Sequence, residues 1–124
     1  MAITSKSDAL NTILNTLSSS SGDIEASAII SSDGLMIASN FPAGLDEDRV
    51  AAMAAALLSM GERASGELSR GDLDQIFIKG ENGNLILVTA GNDGMLTTLT
   101  TANAKLGLVF LDMKRAALEI ARIV

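Results

Sequence analysis

The chain has no cysteine, histidine, tryptophan or tyrosine. Those gaps remove thiolate nucleophiles, disulfides, histidine-dependent triads and the usual zinc and copper sites. Aromatic residues are reduced to three Phe, so the core must be aliphatic. Cations are scarce too: nine Lys and Arg against fifteen Asp and Glu leave a net charge of −6. A surface of that sign repels a phosphate backbone and argues against nucleic acid as a partner. Long apolar runs are missing as well. Val50–Met60 and Leu106–Val124 are too short or too charged to span a bilayer, and Met1–Leu10 lacks the basic and then apolar blocks of a secretory signal. A soluble, cytoplasmic protein without direct membrane insertion is expected.

What is there suits one domain over residues 1–124, since the length leaves no room for two independent cores. Hydrophobic residues at 48% against charged residues at 19% exclude intrinsic disorder. Ser5 with Asp8 resembles a capping box, and behind it Leu10, Ile13, Leu14 and Leu17 recur at helical spacing. The Ser18–Gly22 tract ends that helix. Glu25–Ser31 and Leu35–Ser39 read as strands joined by an Asp33–Gly34 hairpin turn. Pro42 and Gly44 break the pattern, and Asp46, Glu47 and Asp48 open a long helix reaching about Leu68. Three strands follow, Leu73–Lys79, Asn84–Ala90 and Met95–Thr101, separated by the turns Gly80–Gly83 and Gly91–Gly94. From Lys105 an amphipathic helix puts Leu106, Val109, Met113, Ala117, Ile120 and Val124 on one stripe. Asp112, Arg115, Glu119 and Arg122 form a solvated salt-bridge face. The order is αββαβββα.

Catalytic and ligand signals are weak. The glycine pairs each join one strand to the next and open no helix, so they read as hairpin turns rather than a phosphate loop. Asp72 with Asp74, and Glu62 with Glu67, are the nearest carboxylate pairs, yet Asp72 and Asp74 flank a strand where solvated charges guard against mispairing. Asn92 and Asp93 sit in a turn far shorter than a calcium loop. No catalytic residue, metal or cofactor is expected.

The middle helix is more informative. Val50, Ala54, Leu57, Gly61, Ala64 and Leu68 form a stripe expected to pack on the sheet. Beside it lie Met53, Ala56 and Met60, and behind it Ala52, Ala55 and Ser59. A surface helix ordinarily carries Lys and Glu there. High alanine helix propensity is one explanation. The other is that small residues admit a second helix while the methionines adapt to its contour, as in a symmetric dimer. The following strand alternates Leu73, Gln75, Phe77 and Lys79 with Asp74, Ile76 and Ile78 and so is apolar on both faces. At a sheet edge it would template pairing with a second chain. The candidate interface is therefore Ala52, Met53, Ala56, Ser59, Met60, Arg63, Gln75 and Phe77.

The segment Ile29–Ser39, with Asp33 and Gly34 at its turn, resembles the first hairpin of Roadblock-type dynein light-chain domains. Asn103–Leu108 followed by the helix bearing Arg115, Ala116 and Ala117 is similar to that family's closing motif. The resemblance implies an α/β sandwich: a five-stranded antiparallel sheet with the middle helix on one face and the terminal helices on the other. It further implies a homodimer joined through the middle helix and the third strand, and a non-catalytic regulator of a Ras-like small GTPase. Adaptor subunits of motor, polarity or membrane complexes are the alternative. A small-ligand sensor lacks the aromatic and polar anchors a pocket needs.

Overall fold

The computed structural model describes residues 5–124. The part of the amino-terminal reading that falls on residues 1–4 lies outside them. The elements are α1 (Lys6–Ser20), β1 (Ile24–Ser31), β2 (Met36–Asn40), α2 (Glu47–Glu67), β3 (Gln75–Lys79), β4 (Asn84–Ala90), β5 (Gly94–Thr100) and α3 (Leu106–Ala121).

Local chemistry sets the helix starts. The Ser5 hydroxyl accepts from the Asp8 amide and the Asp46 carboxylate from the Arg49 amide, each relieving an unpaired donor of the first turn. The start of α3 is held differently. Its preceding amide, on Lys105, donates to the carboxylate of Asp23, in the turn between α1 and β1, at 2.9 Å. The Thr101 amide donates to the Asp23 carbonyl at the same distance.

The five strands form one antiparallel sheet in the order β2-β1-β5-β4-β3. Its faces carry separate apolar layers. On one, α1 and α3 cover Ile24, Ile29, Ile86, Val88 and Leu96 with Leu14, Leu17, Val109, Met113 and Ile120. On the other, α2 covers Ala28, Ile30, Leu87 and Met95 with Ala51, Ala54 and Leu58. The two-faced sandwich with helices on both sides is the architecture expected.

Two helix faces differ from the sequence reading. Ala51, Ala54 and Leu58 are the buried residues of α2, whereas Ala64 and Leu68 are exposed and Val50, Leu57 and Gly61 only half-buried. At ~100° per residue the packed face is turned by about 70° from the expected stripe. Ala51, Ala54 and Leu58 pack on Ala28, Ile30, Leu87 and Met95, which leaves Val50 and Leu57 half-buried at the side of the contact. Ala55, expected at the back, is half-buried, with its Cβ beside Gly34. On α3, Val109, Met113, Ala117 and Ile120 are buried as expected, but Leu108, Leu111 and Leu118 stand on the side assigned to solvated charges.

The β3–β4 hairpin closes with the Gly80 amide donating to the Gly83 carbonyl at 2.9 Å. Gly83 has φ +154, and a Cβ there would lie 2.5 Å from the Thr100 carbonyl oxygen. Gly83→Ala is expected to destabilise the fold by about 1–3 kcal/mol, since both the backbone angle and the carbonyl oppose a side chain. Gly66→Ala, in open space near the end of α2, should instead stabilise by about 0.5–1 kcal/mol. Urea unfolding of the two variants checks the opposite signs.

Candidate functional site

The six α2 residues of the candidate set form one surface. Ala52, Met53, Ala56, Ser59, Met60 and Arg63 are all exposed and share an arc of about 120° at ~100° per residue. Met53 and Met60 are 57% and 68% exposed. No charged residue occurs between Val50 and Gly61; charges collect at Glu47–Arg49 before them and Glu62–Glu67 after. The result is an uncharged waist about 18 Å long at 1.5 Å per residue.

Gln75 and Phe77 are not on that surface. Alternation along β3 turns Phe77 to the α3 face, where its ring meets Phe110 edge to face at 5.7 Å. Ile76 points the other way and packs under α2: a Cβ on Gly61 would come within 2.8 Å of its Cδ1. Gly61 thus marks a close approach of α2 to β3. Ile78 shares the side of Ile76 by the same alternation and is exposed, so it adjoins the α2 surface in place of Phe77. It was missed as a candidate because strand alternation separates two faces without saying which one meets α2.

The sheet has two outer strands, and they are unequal. In β2 the register with β1 slips between Ile29 and Ile30, leaving Ile37 without a partner in a bulge that bends the edge. β3 keeps an unbroken register with β4 from Gln75–Val88 to Lys79–Asn84. A regular edge strand next to an exposed apolar helix is a template for strand addition by a second chain.

Other candidates are dispersed. Glu67 is held by Arg63 at 3.0 Å, and Asp74 lies 3.9 Å from Lys114. Glu62 and Asp72, drawn from the two different pairs, line one open cavity of about 380 Å³ with Ser32 and Thr89. Among the described residues no group of three or more Asp or Glu could hold a metal. None of their helices is long and apolar enough to cross a membrane.

A five-stranded antiparallel sheet with one helix on one face and two on the other defines a roadblock/profilin-like sandwich. A model of the Roadblock/LC7 domain matches residues 11–100, and the chain belongs to that family. An uncharacterized protein of Methanocaldococcus jannaschii, MJ1340, is 43% identical over 97 residues, covering 78% of this chain and 84% of the relative. Among solved structures, MglB with tetrameric arrangement aligns over 99% of this chain and 93% of its own, with TM-score 0.89 and 22% identity. The gliding protein MglB from Thermus thermophilus gives TM-score 0.86 and 20% identity over the same shares. At these identities the likeness concerns the fold.

Leu58→Ala should cost about 2–5 kcal/mol at any protein concentration, because it empties a packed site under α2. Met60→Ala should change stability by less than about 0.5 kcal/mol in dilute protein, where the side chain is exposed. If a second copy covers Met60, the loss grows with concentration. Thermal unfolding across a concentration series separates the two behaviours.

Proposed function

We propose that residues 1–124 form one Roadblock domain acting as a non-catalytic, cytoplasmic, homodimeric regulator of a Ras-like small GTPase. The observation that carries this reading is the uncharged waist of α2 beside the unbulged edge of β3. Pairing two β3 edges antiparallel would continue the sheet across a two-fold axis and bring two α2 helices together on one face. The small residues Ala52, Ala56 and Ser59 let those helices approach, with Met53 and Met60 filling the gaps. Self-association of a chain with this fold is in keeping with the MglB structure described by its tetrameric arrangement.

The joined α2 face is the surface offered to the GTPase. An arginine finger is a poor account of its action. Of the three arginines near that face, Arg63 pairs with Glu67, Arg70 donates to the Leu68 carbonyl at 2.9 Å, and Arg49, in the acidic first turn of α2, sits in no motif that marks a finger. Docking that favours one arrangement of the GTPase's switch loops suits the surface better. Such docking needs a difference in affinity between the two nucleotide states, since equal affinity shifts no equilibrium.

A carboxylate at Ala56 or Met60 puts like charges together across the axis in a site that is dry when the dimer forms, at a cost on the order of several kcal/mol. Ala56→Glu and Met60→Glu are therefore expected to sediment as monomers while Asn11→Glu, on the exposed side of α1, keeps the mass of the parent. An unchanged mass for both helix variants would mean that the alanines reflect helix propensity alone.

Titration of the dimer with a Ras-like GTPase loaded with GTP or GDP reads the second half of the proposal. Binding that prefers one state by about tenfold or more is expected. Equal binding to both would make the protein an adaptor, and steady GTP turnover by the protein alone would overturn the non-catalytic reading.

A further inference from the structure

We propose that the outer face of α3 is a docking seam for an acidic amphipathic helix of a partner protein. Leu108, Leu111 and Leu118 are 58%, 54% and 67% exposed there. Together with Arg115 and Arg122 they follow an alternating three- and four-residue spacing within an arc of about 80°. That repeat is the pattern by which one helix receives another. The packed side of α3 is already filled by Val109, Met113 and Ile120, so the leucines have no place in the core.

Charge identifies the occupant. Residues 105–124 hold four of the chain's nine cations and only two of its fifteen carboxylates. Arg115 and Arg122 stand in the seam itself, with Lys114 on its β3 side. The Arg115 side chain is two-thirds exposed and only a 3.9 Å contact to Asp112 engages it, while Arg122 has no ion-pair partner within 4.0 Å among the described residues. A helix with apolar anchors against the three leucines and carboxylates opposite Arg115 and Arg122 would satisfy both features. A second copy of α3 would not: antiparallel pairing that sets Leu111 near Leu118 brings Arg115 against a like cation. An anionic bilayer is also a poorer match, because a continuous headgroup layer would cover Asp112 and Glu119 along with the arginines, whereas a helix can set its carboxylates opposite Arg115 and Arg122 alone.

The seam lies on the opposite side of the sheet from α2, so a helix bound there leaves the α2 and β3 surface free. The test uses a fluorescein-labelled peptide of about three heptads, with leucines at three- and four-residue spacing and glutamates beside them, and a twin carrying lysines instead. Fluorescence anisotropy with the full chain should give binding about tenfold tighter for the glutamate peptide, the gap narrowing as salt rises. Leu111→Ser with Leu118→Ser should remove binding of both peptides. Arg115→Glu with Arg122→Glu should reverse the preference, with the thermal unfolding midpoint unchanged in each variant. Equal affinity for the two peptides overturns the proposal. So does binding to phosphatidylglycerol vesicles that the leucine pair abolishes, which would make the seam a membrane face. A lower sedimenting mass of the leucine variant alone would overturn it too, by making the seam a contact between copies.

Discussion

Everything in the molecule depends on β5 lying between β1 and β4. Seven residues of β5 pair on both sides, so the ladder that joins the two halves of the sheet runs through its middle. Polar side chains are buried in this ladder at the faces of the strands. Asn84 donates to the Thr100 hydroxyl at 3.1 Å and the Thr98 hydroxyl to the Met113 sulfur at 3.2 Å. Such internal bonds fix register, because a one-residue slip would leave these groups buried without partners and turn each apolar residue to the wrong layer. With the centre fixed, only β2 and β3 remain as edges.

The two helical layers are built on different terms. Under α1 and α3 the sheet presents Ile, Val and Leu, and two helices share the cover. Under α2 it presents Ala28, Ile30, Leu87 and Met95, and one helix covers them with Ala51, Ala54 and Leu58 while its Gly61 lies close to Ile76. A single narrow helix cannot shield a whole sheet face. Ile78, Leu85 and Leu99 are left partly accessible beside it, and Met53 and Met60 face outward. The apolar surface that α2 leaves open is the physical ground of the proposed dimer.

Much of this was legible in the sequence. The element order, the Ser5 cap, the acidic start of α2 and the bounds of β4 follow from periodicity and turn chemistry, and the remaining strands agree to within two residues. The family also follows from the first hairpin and the closing motif. What could not be read depends on distant contacts. The turn of α2 about its axis was misjudged because Val50 and Leu57 outweigh Ala51 in hydrophobicity: Ala54 was placed on the packed stripe, but Ala51 and Leu58 were not. On α3 the buried stripe of Val109, Met113, Ala117 and Ile120 was read from spacing, but Leu108, Leu111 and Leu118, which the same spacing puts on the charged side, were assigned to neither face. The alternation of β3 separates Phe77 from Ile78, but strand order is needed to tell which of them meets α2.

The central ladder sets Ile24 opposite Thr100 and Ser31 opposite Gly94. The middle of the sheet therefore cannot close until β5 has been made. Both flanking hairpins, β1–β2 and β3–β4, are local and can form during synthesis, each with its inner edge unsatisfied until β5 slides between them. Until then the edges of β1 and β4 that the finished protein hides are open alongside those of β2 and β3. The Asp23 carboxylate then fastens the start of α3 to the turn before β1, so the helix that follows the sheet is tied to the turn that precedes it.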